Sequence, residues 1–306
     1  MSRSDAVGFG ALNVDKLFKV EKIAAAEEET SVIDHSETCG GSAANTMVGL
    51  ARLGCKVGFV GKIAWDFEGK MLFRDFRRER VDTKGIVISK DDRSGKVMGF
   101  VDKNGQRALY VDAGVNNSMR PEDVNLSYAS NSRLVHLTSF VGQQSFQTQK
   151  WLLDKLPSRV EVSFDPGALY ARTGMAKLQP IIERTSIMLP NADELALITG
   201  RNDYREGAKL LLDNGVKIIA VKLGNHGCYV TDGRESHIVA PFKVKVIDTT
   251  GAGDAFDAGF LYGLLRDRNL EEASRIGNFV ASKCIMAMGA RLGLPTLKTL
   301  TTEMQM

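Results

Sequence analysis

Cysteine and histidine are scarce in this chain of 306 residues, with four of each. Cys39, Cys55, Cys228 and Cys284 form no CxxC pair, which together with so few histidines argues against a structural zinc site. Isolated cysteines of this kind read as reduced, mostly buried thiols, and the expectation is a cytoplasmic protein. No apolar run approaches the ~20 residues that cross a bilayer. The opening Met1-Ser2-Arg3-Ser4-Asp5 leads into a short apolar strand and has the features of neither a signal nor a transit peptide. Net charge is only +3, which gives no case for nucleic acid or a membrane surface as partner. The densest basic run, Arg74 to Arg80, is broken by Asp75 and Glu79 and reads as a solvated helix face. The phosphate-binding string GxxxxGK[ST] is missing. So is a GxGxxG after the first strand, which argues against a nucleotide-dependent oxidoreductase.

What is present is ordinary globular composition, 43% hydrophobic and 25% charged, in a chain long enough to bury a large core. Short apolar runs alternate with helical stretches. Strands are predicted at Ala6 to Leu12, Val57 to Ile63, Leu134 to Phe140, Val160 to Phe164, Ile187 to Leu189 and Ile218 to Leu223. Helical spacing occupies Ala43 to Leu53, Gly69 to Arg80, Ser145 to Leu156, Met175 to Arg184 and Tyr204 to Asn214. This alternation implies an α/β chain with a mostly parallel sheet covered on both faces. A single domain over residues 1–306 is expected. Two segments break the rhythm, at about 16–38 and 94–113, the second carrying an Asn104-Gly105 hairpin turn. They are either unrelated surface hairpins or the halves of a small second sheet, which at the ligand-binding edge would form a lid.

The most informative stretch is Asp248-Thr249-Thr250-Gly251-Ala252-Gly253-Asp254-Ala255-Phe256-Asp257-Ala258-Gly259-Phe260. It follows an extended run, Phe242 to Ile247, and opens an amphipathic helix. Free N–H groups and the helix dipole at such a junction stabilise an anion, and Gly251 and Gly253 let a phosphoryl group approach the backbone. Asp254 in the first turn could take the proton of an attacking hydroxyl, or it could simply cap the helix. Asp257 is a rival base, but it lies one turn deeper, away from the anion site.

This string resembles the C-terminal signature of the PfkB, or ribokinase-like, family of carbohydrate kinases. Gly40-Gly41-Ser42-Ala43-Ala44-Asn45, before a helix ending in Ala51-Arg52-Leu53-Gly54, is similar to the family's N-terminal signature. By itself it is a glycine turn allowing close approach of a ligand, with an Asn that both donates and accepts. Gly10 to Asp15 closes the first strand, where α/β sheets bind ligands, and Asn13 and Asp15 alternate so that both can face one side. An Asp so placed can accept two hydrogen bonds from vicinal hydroxyls.

The resemblance spans Val7 to Pro295 and implies a three-layer ribokinase-like fold with a β-sheet lid. It implies ATP as phosphoryl donor, with Asp254 as base and Gly251, Ala252 and Gly253 as the anion hole. Asn13, Asp15, Gly40, Gly41 and Asn45 would hold the acceptor. Asn191-Ala192-Asp193-Glu194 resembles the family's Asn-x-x-Glu motif, which would put Asn191 near the phosphates and Glu194 on Mg²⁺ through water; alone it reads as a helix cap with acidic first-turn residues. Lys222, Gly224 and Gly227 match the glycine turn near ATP, with His226 an exposed turn residue. Asn278 aligns with an adenine-side contact. Asp248 and the carbonyls of Thr250, Cys284, Ala287 and Gly289 correspond to a monovalent-cation (K⁺) site, although Gly293 stands where a Ser can contribute.

The acceptor is a sugar on this reading. A nucleoside is the alternative, needing an aromatic slot to which Phe100, Tyr110 and Phe140 could contribute. Lys96 and Arg107 could face an acidic acceptor or be solvated charges, and Asp165 after its strand is a candidate for positioning Mg²⁺ or phosphate. A catalytically silent sugar- or nucleotide-binding regulator on the same fold is a further alternative. Exposed edges of the lid sheet suggest a homodimer through it.

Overall fold

The computed structural model describes residues 3–104 and 106–305, so Gly105 of the predicted hairpin turn lies outside the described residues, as does the Arg107 side chain. The strands are β1 (Ser4–Phe9), β2 (Asn13–Val20), β3 (Val32–Gly40), β4 (Val57–Ala64), β5 (Asp82–Ser89), β6 (Gly95–Val101), β7 (Arg107–Asp112), β8 (Ser132–Leu137), β9 (Glu161–Phe164), β10 (Ile187–Met188), β11 (Ile218–Lys222), β12 (Cys228–Thr231) and β13 (Ser236–Val239). Among the described residues, nine of them form one sheet in the order β13-β12-β11-β10-β9-β8-β1-β4-β5, and β3-β2-β6-β7 form a second. From β11 to β5 the neighbours run parallel; β12 and β13 are antiparallel additions.

Both faces of the large sheet are buried, as a parallel sheet requires. The strand period of two sends Ala6 into one core and Val7 and Phe9 into the other. The first core lies under helices Ser42–Arg52, Phe67–Arg78, Ala252–Leu265 and Leu270–Cys284. The second lies under Gln143–Lys155, Gly174–Ile182, Ala192–Thr199 and Tyr204–Asp213. Local chemistry starts several of these helices: Asp66, Asn191, Asp203 and Asn269 each accept a first-turn N–H.

The two irregular segments do pair into one sheet, but it begins earlier than expected. The first strand ends at Phe9, and Asn13 and Asp15 belong to the start of β2. Asn116 makes the break: its side chain accepts from Leu12 N at 2.9 Å and donates to Leu12 O at 2.9 Å, satisfying the backbone between strands. Phe242 to Ile247 is not a strand either; among the described residues it pairs with no strand, Ile247 N donates to the Ile285 carbonyl at 2.8 Å, and Val246 and Ile247 are exposed. Edge strands β5 and β13 went unpredicted because their sequences, DTKGIVIS and SHIV, are too polar or too short to show a pattern.

The basic run on Phe67–Arg78 is not only a solvated face. Asp75 turns inward to Arg291, and Glu79 takes the fork of Arg52 at 2.8 and 2.9 Å. The same helix anchors the smaller sheet: buried Glu68 pairs with Lys16 of β2 at 2.9 Å and Lys96 of β6 at 3.3 Å.

Candidate active site

The carboxyl ends of β9 and β11 meet the start of helix Ala252–Leu265 through Asp165 and Lys222. Gly251 enters that helix at φ 76°, and a Cβ there would lie 2.5 Å from the Ala290 Cβ, so both backbone and space demand glycine. The first-turn N–H groups have no acceptor within the helix and present a positive end, although that of Ala252 donates to the preceding Thr249 carbonyl at 3.2 Å. A Cβ on Gly253 would sit 3.4 Å from the Lys222 ammonium, so the glycine turn and a cation border the same space.

Asp254 is partly buried beside that turn. Ser42 donates to its Oδ1 at 2.5 Å and the Asn45 amide to its Oδ2 at 2.7 Å. Burial pushes its carboxyl up to about 6; these two bonds pull it down, nearby Asp165 raises it and Lys222 lowers it. Asn45 therefore grips Asp254. Sequence reasoning passed over Ser42, although it stands inside the glycine motif. Gly41, at φ 103°, makes the turn that delivers Ser42 and Asn45, and its hydrogen lies against the Ala11 carbonyl.

Asn13 and Asp15 share one face of β2. Asn116 donates to Asn13 Oδ1 at 3.0 Å, turning the Asn13 NH₂ outward. Among the described residues no hydrogen bond reaches the Asp15 carboxylate, whose oxygens are thus available to a ligand. Burial raises Asp15 to about 6, opposed by Arg291 and reinforced by Asp254. Gly40 closes against it, since a Cβ there would lie 2.2 Å from Asp15 Oδ2. Arg291, which no motif pointed to, donates to Asn45 Oδ1 at 2.7 Å.

Across the helix start lies a cleft of ≈ 660 Å³ bordered by Asn191, Asp193, Lys222, Gly224, His226 and Ile238. Asn191 and Glu194 form a reciprocal cap at 2.8 and 2.9 Å, so the capping reading is realised at the edge of this cleft. His226 is exposed, as expected. Gly224 faces open space, whereas Gly227 is needed for the close approach of the Val239 carbonyl. Asn278 commits its NH₂ to the carbonyls of Val239 and Ala240 at 3.0 and 3.1 Å, bracing the cleft wall.

Lys222 joins Asp165 at 2.8 Å and Asp257 at 3.3 Å. Asp257 is fully buried, and burial raises its carboxyl well above the usual range against the pull of Lys222. This removes it as a rival base, for a buried carboxyl locked on a lysine has no path to an acceptor. Phe140 is buried against Phe9, and Phe100 stacks on Phe18 at 5.2 Å. Strand register sends Phe100 and Tyr110 to the face opposite Asp15. Lys96, on that same face, is occupied by Glu68.

Residues 3–297 match the family model described as pfkB family carbohydrate kinase. The chain belongs to that family. It is 45% identical over 251 residues to an uncharacterized sugar kinase of Archaeoglobus fulgidus, covering 81% of this chain and 98% of the relative. It is 31% identical over 244 residues to a cytidine kinase of Thermococcus kodakarensis, covering 78% and 84%. The crystal structure of a Thermotoga maritima ribokinase superposes with a TM-score of 0.88 at 25% identity, covering 99% and 100% of the chains. The pfkB chain is thus a kinase with the ribokinase fold, as its motifs implied.

The residues present fit a divalent cation held through water. Asp165 and Asp257 flank the Lys222 ammonium at 2.8 and 3.3 Å and Glu194 also favours its charged form, so carboxyl oxygens, the donor type a hydrated divalent ion takes, gather beside the lysine; Asp257 Oδ2 is buried without a hydrogen bond among the described residues. No group of three or more His, Cys, Asp or Glu side chains among the described residues is placed to hold an ion directly. The segments of the implied monovalent-cation site do converge. Asp248 accepts from Thr250 N and Oγ1 at 2.9 and 2.7 Å and from Gly289 N at 2.8 Å, and Cys284 Sγ lies 3.7 Å from the Thr250 carbonyl. Ala287 N closes onto the Cys284 carbonyl at 3.2 Å.

Proposed function

We propose that this kinase transfers the γ-phosphoryl group of ATP to a hydroxyl of a sugar. One observation carries the reading: Asp254, restrained on both oxygens, shares the first helical turn with a glycine anion site, near enough to Asp15 for its charge to raise that carboxyl. The acceptor hydroxyl gives its proton to Asp254 as its oxygen bonds to the γ-phosphorus. The bond from that phosphorus to the β–γ bridging oxygen breaks, and ADP leaves with the electron pair. The N–H groups around Gly251, Ala252 and Gly253, with the Lys222 ammonium, face the charge that builds on the transferred oxygens. Asp15 and Asn13 hold neighbouring acceptor hydroxyls, one accepting and the other donating.

Asn191, Lys222 and Gly224 border the donor phosphates, with Gly227 and Asn278 shaping the wall behind them. Glu194 would hold Mg²⁺ through water, and the ion would supply neutralisation of donor-phosphate charge. The Asp248 and Cys284–Gly289 segments would hold K⁺ on the same reading, and exchanging KCl for NaCl in the assay tests it. The smaller sheet closes over the acceptor as a lid and excludes water. The lid and the large sheet are read as one domain.

A sugar is preferred to a nucleoside because Phe140 is core and Phe100 and Tyr110 point away from Asp15, leaving no aromatic slot among them for a base. The similarity to a cytidine kinase keeps the nucleoside reading in view. Acceptor-dependent ADP release, measured with MgATP over a panel of sugars, sugar acids, sugar phosphates and nucleosides, tests the choice. Higher kcat/KM for a nucleoside than for every sugar would overturn it. We also propose a homodimer through the lid, whose face carries exposed Leu109 and Val111; a monomer in sedimentation at micromolar concentration contradicts that.

A further inference from the structure

Arg291 sits on the short helix Gly289–Leu292, and its side chain is 11% exposed. Its guanidinium bonds in three directions. Nε donates to Asn45 Oδ1 at 2.7 Å, Nη1 donates to Asp75 Oδ2, and Nη2 donates to the Gly40 carbonyl at 3.3 Å. The backbone beneath it is also pinned, because Arg52 donates to the Arg291 carbonyl at 2.7 Å and to the Leu294 carbonyl at 3.1 Å. Arg52 is in turn held by Glu79. Arg291 is therefore a fixed donor aimed at one end of the Asn45 amide.

The two ends of a primary amide are nearly the same shape and opposite in polarity. A guanidinium only donates, so it accepts Oδ1 as a partner and rejects the NH₂. With Oδ1 on Arg291, the NH₂ of Asn45 points at Asp254 Oδ2, 2.7 Å away. In the flipped amide, Oδ1 would meet a carboxylate oxygen and the NH₂ would meet a guanidinium, so both contacts would become repulsive. The series Asp75–Arg291–Asn45–Asp254 thus has a single workable polarity.

We propose that Arg291 is a positioning residue for the reaction, fixing the orientation of the Asn45 amide so that Asp254 is held with its proton-accepting edge toward the acceptor. The proposal rests on the reading of Asp254 as the base. The other charged or titratable groups near Asp254 are Asp15 on β2, Asp165 after β9, Lys222 on β11, Asp257 on its own helix and the Cys284 thiol. None of them hydrogen-bonds Asn45 among the described residues, so control of the amide falls to Arg291.

The test combines steady-state kinetics of wild type, Arg291→Met, Arg291→Lys, Asn45→Ala and the Met/Ala double variant with NMR exchange of the Asn45 side-chain NH₂ in the three proteins that retain it. Arg291→Met should lower kcat about tenfold, the scale of one hydrogen bond to a charged group, with KM for ATP within about twofold. Its Asn45 NH₂ should exchange about tenfold faster than in wild type. Arg291→Lys keeps a cation for Asp75 and serves if the Met variant fails to fold; its Asn45 amide should still lose protection, with kcat intermediate. In the Asn45→Ala background, Arg291→Met should change kcat by less than about twofold, because the residue through which it acts is gone. Equal loss of kcat in both backgrounds, or unchanged amide exchange in the Met and Lys variants, overturns the proposal. If Asp254→Asn turns over as fast as wild type, it is the base assignment that fails; amide exchange reports on Arg291 independently of that outcome.

Discussion

The Ser42 hydroxyl donates to Asp254 Oδ1 at 2.5 Å, joining the first turns of two helices that lie 212 positions apart in the chain. This bond favours the ionised carboxylate, as does that from Asn45, against burial that pushes Asp254 up to about 6. Activity of the wild type should therefore fall as pH drops through about 6, because the base must be ionised to accept a proton. Asp15, also near 6, loses charge over the same range and steepens the acid limb. Removing the hydroxyl in Ser42→Ala should move the limb to higher pH and lower kcat by about tenfold at neutral pH. A pH profile of kcat/KM for the two proteins reads both effects; an unmoved limb contradicts the role given to Ser42.

Asp254 should also cost stability. Its folded-state pKa of about 6 lies above its ordinary 3.8, so the folded protein binds the proton more tightly than the unfolded chain. The penalty is fully present above pH 6 and is relieved as pH falls toward 4. Asp254→Asn should accordingly raise Tm at pH 7.5 by about 2–4 °C and show a smaller gain at pH 4.5. Calorimetry at the two pH values checks it, and a lower Tm at pH 7.5 counts against the burial argument.

Asp15 has no hydrogen-bond partner among the described residues and, on the proposed function, holds an acceptor hydroxyl. Replacing it by Ala removes one acceptor of ligand hydroxyls without orphaning a protein donor. The expected result is a 10- to 100-fold rise in KM for the acceptor, roughly one or two charged hydrogen bonds, with KM for ATP unchanged. A rise in KM for ATP alone would move Asp15 to the donor side.

Gly251→Ala should cripple transfer while leaving the fold in place. The new Cβ would need the left-handed backbone at φ 76° and would meet Ala290 Cβ at 2.5 Å, so the helix start must shift. A displaced anion site should lower kcat by about 100-fold, the scale of a lost oxyanion donor. Circular dichroism and kcat on the same sample separate this from misfolding.

Much of this architecture was legible in the sequence where the signal is local. The glycine turns at Gly41 and Gly251, the Asn191–Glu194 cap and the strand–helix alternation all announce themselves within a few residues. What stayed hidden depends on partners far apart in the chain. Ser42 looks like any small polar residue until Asp254 is brought to it, and Arg291 lies near the chain end with nothing to mark it until Asn45 and Asp75 converge. The break at Leu12 was invisible because it is made by Asn116, about a hundred positions away. Lys96 and the Arg74–Arg80 run looked solvated, since charge pattern alone does not reveal that Glu68, Asp75 and Glu79 face inward. Phe242 to Ile247 shows the opposite failure, an extended run with no strand beside it among the described residues.

The central claim is that Asp254 removes the acceptor proton, and the most direct measurement is acceptor-dependent ADP formation by wild type and Asp254→Asn, with ATP binding measured on both. Asn keeps the shape of the side chain but is a very weak base. The account predicts loss of at least about 1,000-fold in kcat, consistent with removal of a general base, with ATP affinity within about twofold. Turnover by Asp254→Asn within tenfold of wild type would contradict it.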